Sequence, residues 1–461
     1  MSTPNLTAPV RPGQTIQLEV HGLGSSGEGV GRYEGMTVFV TGGVPGDLLD
    51  VRVTEVKPKY AKGNLVGVVR PSPDRVEPAS PVEQELGGCP LLHIAYPAQL
   101  ALKRQQVVDA LERLGHLQGV TVHPTLGMDE PWHYRNKAQF PVGLQNGRVI
   151  AGYFVPGSHK IVDIKESVIQ HPLANEVLET VKELVEQHKI SIYDERSHRG
   201  TLRHLLVRVG TKTGQVMAVL VTSGPDLPHG KAIAAELMRR VPAVVSVVQN
   251  INPEQTNVVL GRKNRLLDGQ ETITDFVGDL EFTISPVSFF QVNPAQTEVL
   301  YGKALSYAAL TGSETVLDLY CGIGTISLFL ARKAQSVIGI EVVPEAIEDA
   351  KENAAHNGLA NARFICGDAT VEMPRLAADG IRPDVIVVDP PRKGCDEPVL
   401  RAMAETAPER IVYVSCNPAS LARDLGILAG MGYRTVEVQP VDMFPHTAHV
   451  ECVARLVRED K

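Results

Sequence analysis

The stretch Asp318-Leu-Tyr-Cys-Gly322-Ile-Gly324-Thr-Ile-Ser327 joins a run with strand character, TVLDLY, to one with helical spacing, TISLFLARK. Glycines at such a turn let the backbone approach a ligand closely. The same rhythm then repeats. SVIGIEV precedes PEAIEDAKENAAHNG, ARFICGDA precedes a short helical run, VIVVDPP and RIVYVSCN follow, and the β-rich RTVEVQPVDM and HVECVARLV close the chain. Alternation of strand and helix predicts a parallel, doubly wound sheet that binds its ligands at the carboxyl ends of the strands.

Those strand ends carry acids. Glu341 closes the strand after the glycine turn, where a carboxylate can accept hydrogen bonds from ribose hydroxyls, and Asp368 follows the third strand, in reach of an adenine. A nicotinamide dinucleotide is one reading of the pattern. Against it, Ser327 stands where the third fingerprint glycine would be, and Asp318 before the turn would repel a pyrophosphate. The same carboxylate suits the cationic amino-acid end of S-adenosylmethionine. Asp318, Gly322, Gly324, Glu341 and Asp368 at successive strand ends favour the second cofactor.

The fourth strand ends in Asp389-Pro-Pro-Arg392. Two prolines fix the backbone, so the acid before them is rigidly held and can anchor a planar group or the cofactor. The fifth strand ends in Val414-Ser-Cys416-Asn-Pro418. An isolated cysteine is ordinarily a small core hydrophobe, but Cys416 stands at the end of the apolar run, and Pro418 predicts that a helix begins just after it. The positive end of that helix is expected to favour thiolate over thiol. Glu451 follows in the final hairpin. Carbon 5 of a pyrimidine is a poor nucleophile. A thiolate adding at carbon 6 makes an enolate that can take a methyl group at carbon 5, and a base then removes the carbon 5 proton. Cys416 and Glu451 are the candidates for nucleophile and base.

Upstream of this region, TIQLEVHGLG, MTVFVTGG, GDLLDVRVTEV and GNLVGVV alternate apolar and polar residues between glycine turns, which predicts a small five-stranded barrel. The proline-rich Arg70-to-Pro78 segment reads as a linker. A helical run over 96–117, hairpin-like strands over 134–162, a helix over 173–188 and further strands make a mixed middle region. At 461 residues, 43% hydrophobic and 21% charged, the chain has the bulk of about two to four domains, with no apolar run long enough to span a bilayer. The start, MSTPNLTAPVRPGQ, lacks a basic segment followed by an apolar core, so no signal peptide is expected. Cysteines at 89, 321, 366, 395, 416 and 452 show no C-x-x-C spacing, and free thiols in a cytoplasmic protein are expected. The net charge of −8 gives no global nucleic-acid signature.

DLYCGIGTISL, VVDPPRKG, VSCNPASLARDL, SFFQVNPAQTEVLY and HVECVARL together resemble the RNA uracil-5-methyltransferases, specifically the bacterial 23S ribosomal RNA branch with an N-terminal TRAM domain. The resemblance covers nearly the whole chain. It implies an α/β fold class: a Rossmann-like S-adenosylmethionine-dependent methyltransferase domain at 284–461, an OB-like TRAM β-barrel at 9–69, and a mixed α+β central domain at 75–283, the last two binding RNA. The helix at 96–117 is a candidate to pack on the catalytic domain. The resemblance also implies S-adenosylmethionine contacts at Gln291, Tyr320, Glu341 and Asp389, with Cys416 as nucleophile and Glu451 as proton acceptor. Gln291 and Tyr320 rest on the resemblance alone. The expected partner is RNA, with no membrane, and the chain is expected to be a monomer.

An internal uridine is usually stacked, so the target must lie in a loop or be extruded. Candidate backbone contacts are Lys57, Lys59, Lys62, Arg135, Lys137, Arg196, Arg199, Arg203, Arg262, Lys263 and Arg265. Many members of the family hold a four-iron cluster on three cysteines ending in Gly-Gly-Cys and a fourth later on. Here only Cys89 keeps its thiol, the other positions falling on Ser80, Leu86 and Ser167. No iron-sulfur cluster and no other metal site is expected, with packing around Leu86 and Leu91 in the cluster's place. Three alternatives remain: a transfer RNA uracil-5-methyltransferase, a cytosine-5 RNA methyltransferase, whose usual Pro-Cys nucleophile motif is missing, and a non-catalytic RNA-binding or ribosome-assembly factor.

Overall fold

Alternating burial in Thr15–Leu23 (β1), with Ile16, Leu18 and Val20 inward, sets the pattern for the first unit. With Gly29–Tyr33 (β2), Met36–Thr41 (β3), Leu48–Val56 (β4) and Tyr60–Arg70 (β5) it closes a barrel of order β1-β2-β3-β5-β4 around Val38, Val40, Leu49, Val51 and Val53. The computed structural model describes residues 9–459, so the reading of the N-terminus falls, for residues 1–8, outside the described residues. The proline-rich segment after the barrel is pinned to it. Arg75 reaches buried Asp47 at 2.5 Å, and Asp47 also accepts from the Val44 and Ser72 amides.

Next come Pro81–Glu85 (α1), Tyr96–Arg113 (α2) and the two-residue strand Thr121–Val122 (β6). A seven-stranded mixed sheet then forms from Lys137–Gln145 (β7), Arg148–Phe154 (β8), Ile161–Asp163 (β9), Leu202–Val209 (β10), Val216–Thr222 (β11), Val244–Ile251 (β12) and Lys263–Gly269 (β13), in the order β13-β12-β11-β10-β7-β8-β9. Pro172–Gln187 (α3) and Gly230–Arg240 (α4) cover one face, burying Val177, Leu178, Val181 and Leu184 from the first and Ile233 and Leu237 from the second. The hairpin Ile273–Val277 (β14) and Leu280–Ile284 (β15) follows, then Pro294–Ala308 (α5).

The last part is the doubly wound sheet. Thr315–Leu319 (β16), Thr325–Ala331 (α6), Ser336–Glu341 (β17), Pro344–His356 (α7), Ala362–Cys366 (β18), Ala369–Ala378 (α8), Val385–Val388 (β19), Glu397–Glu405 (α9), Arg410–Ser415 (β20), Pro418–Gly430 (α10), Tyr433–Val441 (β21) and Glu451–Arg458 (β22) alternate as expected. Strand order is β18-β17-β16-β19-β20-β22-β21-β6, with β22 antiparallel to its neighbours. β16 therefore has β17 on one side and β19 on the other, and the crevice where the order reverses opens beyond their carboxyl ends.

Part of the span read from sequence as one central unit, 75–283, packs against the doubly wound sheet. β6 pairs in parallel with β21 at the edge of the doubly wound sheet, and α2 packs Val107 and Leu111 into the same core as Leu421, Leu425 and Leu428 of α10. The helix ends at Arg113, short of residue 117, because the chain must turn against α10. A Cβ on Gly115 would stand 2.6 Å from the Ala422 carbonyl, and one on Gly426 would stand 2.8 Å from the Gly115 carbonyl. The β14–β15 hairpin lies between the two sheets, burying Ile273, Val277, Phe282 and Ile284 in a core that holds Val316 and Phe329 from one and Leu206, Met217 and Val219 from the other. Apolar periodicity shows that these segments have a buried face, but not which core receives it. Among the described residues, no helix is long and apolar enough to cross a membrane.

Candidate active site

The glycine turn after β16 has the open backbone that a ligand needs. Gly322 has φ +53° and a Cβ there would meet nothing within 4 Å, so the turn faces free space. Tyr320, just before it, is held at φ +63°, a left-handed conformation that costs an aromatic residue energy and that clusters at functional sites. Asp318 is fully buried beneath the turn. Its Oδ2 accepts from the Ser327 hydroxyl at 2.5 Å, while Oδ1 has no partner. Ser327, the residue that breaks the dinucleotide fingerprint, thus orients the acid. Burial pushes Asp318 up to about 7, the Ser327 bond opposing and the Asp389 charge adding to the rise.

Glu341 ends β17 and accepts from the amides of Gly322, Val342 and Val343 at 2.8 to 3.2 Å, so its carboxylate is fixed at the rim of the turn. Asp368 follows β18 and opens α8. It caps α8, accepting from the Thr370 amide and hydroxyl through Oδ1, which leaves only Oδ2 for a ligand. Asp389 follows β19, where burial raises its carboxyl to about 6.

Cys416 follows β20 and precedes α10, whose cap is Asn417 with Pro418 in its first turn, as the sequence predicts. Ser415 pairs with Cys452 across β20 and β22. Cys416 and Glu451 are the next residues beyond that pair, near enough for the Glu451 charge to act on the thiol. The thiolate expected from the helix end is not the resting state. Burial, then the charges of Glu451 and Asp389, push the thiol up to about 11, with Arg392 opposing. Glu451 itself rises to about 8 through burial and Asp389, Arg392 again pulling the other way. The positive helix end is outweighed by the loss of water and by two carboxylates in one crevice.

Arg392 was legible only as the residue after the prolines, yet it is the cation of this crevice. Its carbonyl accepts from the Asn417 amide group at 3.0 Å and the Ser420 hydroxyl at 3.1 Å, which ties the Pro-Pro-Arg turn to the start of α10. Its guanidinium lies 3.2 Å from Nδ1 of His449. Tyr301 on α5 was missed as well. Burial and the charges of Asp389, Asp318 and Glu451 raise its phenol, with the Gln291 side chain opposing. The buried stripe Thr297, Leu300, Tyr301, Ala304 marks Tyr301 as inward-facing, but nothing local shows that it faces acids.

The tRNA (Uracil-5-)-methyltransferase family model matches residues 95–459, and a TRAM domain model matches residues 9–66. The chain belongs to this family. RNA methyltransferases of Halalkalibacterium halodurans and Clostridium tetani are 52% and 50% identical to it, over 97% and 96% of this chain and 98% and 96% of theirs. A crystal structure of Pyrococcus abyssi tRNA (uracil-54, C5)-methyltransferase in complex with S-adenosyl-L-homocysteine is 30% identical. It superposes with a TM-score of 0.76, over 96% of this chain and all of that one. As a family member the protein is an RNA uracil-5-methyltransferase dependent on S-adenosylmethionine. Its own residues fit that group. The partnerless buried oxygen of Asp318 suits a cationic amino-acid end, the space at Gly322 admits it, and the Glu341 carboxylate is fixed at the rim of the turn.

The iron-sulfur cluster of many family members does not fit the residues present. Cys89 is buried, and burial with the nearby Glu83 charge pushes its thiol up to about 12. Ser80 caps α1 through the Glu83 amide, Leu86 offers no ligand, and Ser167 donates its hydroxyl to Glu83 at 2.5 Å. Among the described residues, no group of three or more His, Cys, Asp or Glu side chains is placed to hold a metal. What joins these segments is not the packing of Leu86 and Leu91 expected above. It is the buried carboxylate of Glu83, which also accepts from the Val168 amide at 3.0 Å, while Tyr153 donates to Ser167 at 3.1 Å. Protein purified under anaerobic conditions should therefore lack the visible absorbance of a cluster and methylate RNA without added iron. Stoichiometric iron and sulfide in active protein, lost with activity in Cys89→Ala, would contradict this.

Proposed function

We propose that this protein methylates carbon 5 of a uridine in 23S ribosomal RNA through a covalent bond between Cys416 and carbon 6. The observation that carries the proposal is the pairing of Ser415 with Cys452, which brings the adjoining Cys416 and Glu451 together beside the acids at the mouth of the doubly wound sheet. Asp318, Gly322, Glu341 and Asp389, with Gln291, Tyr320 and Asp368 around them, would hold S-adenosylmethionine, which when bound supplies an electrophilic methyl group.

The chain's own residues do the rest. Cys416 gives its proton to solvent and adds as thiolate to carbon 6, and the ring electrons move onto the carbonyl as an enolate. After carbon 5 has taken the methyl group, Glu451 removes the carbon 5 proton. The released electron pair restores the ring double bond and expels the Cys416 thiolate. Arg392 supports the first step by favouring the thiolate, and positive charge near Asp389 offsets the upward push of that carboxylate on the thiol.

RNA would be held by the barrel of residues 9–69 and the middle sheet, where Lys57, Lys59, Lys62, Arg196, Arg199, Arg262, Lys263 and Arg265 are exposed. Arg135 and Lys137 are half-buried near the Gln291 loop. Arg203 is removed from this set. It is buried, donates to the carbonyls of Asn252 and Glu254, and lies over the Tyr193 ring. A monomer acting in the cytoplasm is part of the proposal.

Transfer RNA is the second reading, favoured by the Pyrococcus abyssi enzyme. Mapping 5-methyluridine in ribosomal and transfer RNA from cells with and without the protein tests both. Loss of a 23S signal is the expected result, and loss from transfer RNA alone would transfer the proposal to that substrate. Incorporation of labelled methyl groups into RNA excludes the non-catalytic reading.

A further inference from the structure

The segment between β21 and β22 carries His449 and leads into Glu451, yet residues 442–450 contain no regular element. Polar side chains buried in the two helices beneath it hold the segment instead. From α2, Lys103 reaches Asp442 Oδ1 at 2.5 Å and the Phe444 carbonyl at 3.1 Å, and the Tyr96 hydroxyl reaches Asp442 Oδ2 at 2.8 Å. Gln99 accepts from the His446 amide at 3.1 Å and lies 3.2 Å from its ring Nδ1. From α5, Asn293 and Gln296 donate to the carbonyls of Met443 and Asp442 at 3.0 and 3.1 Å.

The side chains of Lys103 and Asp442 are 2% and 0% exposed. Such a pair gains little stability over apolar residues of the same volume, because removing two charges from water costs about what their attraction returns. Its distinctive property is direction. The ammonium spans a side-chain oxygen and a backbone oxygen two residues apart, which fixes the path of the chain as it leaves β21. Val441, the residue before Asp442, pairs with Glu451 across β21 and β22, whereas Cys416 lies at the junction of β20 and α10, outside this segment.

We propose that the Lys103–Asp442 pair is a positioning element for Glu451, locating the proton acceptor against carbon 5 without taking part in the attack by Cys416. The inference rests on the roles given above to Cys416 and Glu451. It predicts a specific split. A small displacement of a catalytic group can cost roughly a hundredfold in rate. Loss of the pair should slow proton removal while leaving RNA binding and formation of the carbon 6 bond in place.

The test compares full-length wild type with Lys103→Met/Asp442→Leu, in which the ion pair becomes an apolar contact, and with Lys103→Met alone, in which Tyr96 still holds Asp442. Thermal melting establishes which variants fold. Each is then assayed for kcat and KM with RNA substrate, and on denaturing gels for covalent complex with 5-fluorouridine RNA and with ordinary RNA. The expected result is a fall in kcat of roughly 10- to 100-fold at unchanged KM. The 5-fluorouridine complex should form as in wild type, and methylated ordinary RNA should accumulate on Cys416. Wild-type kcat in a folded variant overturns the inference, as does loss of the 5-fluorouridine complex in step with kcat, which would mean a general disturbance of the site. Absence of that complex in wild type overturns the role of Cys416, and this inference with it.

Discussion

RNA carrying 5-fluorouridine at the target position should leave wild-type protein bound to RNA on a denaturing gel, and Cys416→Ala should leave none. Fluorine cannot depart as a cation, so once carbon 5 has been methylated no base can restore the ring double bond and release the thiol. The alanine variant lacks the sulfur that opens the reaction, and its methylation rate should fall by roughly 10⁴-fold or more. The substitution should not disturb the fold, since Cys416 is only partly buried and makes no hydrogen bond that caps α10, a task that Asn417 performs. An adduct in Cys416→Ala would assign the nucleophile to another residue.

Glu451→Gln should fail later. The amide keeps the shape and most of the hydrogen bonding of the carboxylate but cannot take a proton, so turnover should fall by about 10²- to 10⁴-fold. Methylated RNA should remain attached to Cys416 even with ordinary uridine. The pH dependence has a definite sign. The active form of Glu451 is ionised, and burial with the Asp389 charge raises it to about 8, so a neutral solution leaves much of it protonated. Single-turnover release of product should therefore increase as pH rises toward 8, and Asp389→Asn, which removes the repelling charge, should move that limb to lower pH. A Glu451→Gln enzyme that releases product normally would transfer the base to another residue or to water.

The strand ends of the catalytic sheet could be read directly because each acid follows an apolar run that announces its strand. Asp318, Glu341, Asp389 and Cys416 all stand where that reading puts them. What it could not supply was the balance of charges inside the crevice. The helix end before Cys416 suggests a thiolate, but the thiol's proximity to Glu451 and Asp389 arises from tertiary pairing. The Lys103–Asp442 pair was invisible for the same reason, its partners lying 339 residues apart. Glu83 reads as one more surface acid on a short helix, and only the fold buries it against Ser167. Strand β6 has two residues, too few to show a period, so its place in the catalytic sheet had no local signal.

That two-residue strand also sets a timetable for biosynthesis. β6 and α2 leave the ribosome early, with Val107, Leu111 and Val122 on an apolar face whose partners are β21 and α10. His123, beside β6, bonds to Glu437 of β21 across 314 residues of sequence. At translation rates of about 5–20 residues per second, roughly 16 to 60 seconds pass before that face can be covered. During that interval the barrel and the middle sheet can fold, but the catalytic sheet is waiting for its last strands. The nascent chain thus spends most of its synthesis with one side of its active domain already made and open to solvent, chaperones and proteases.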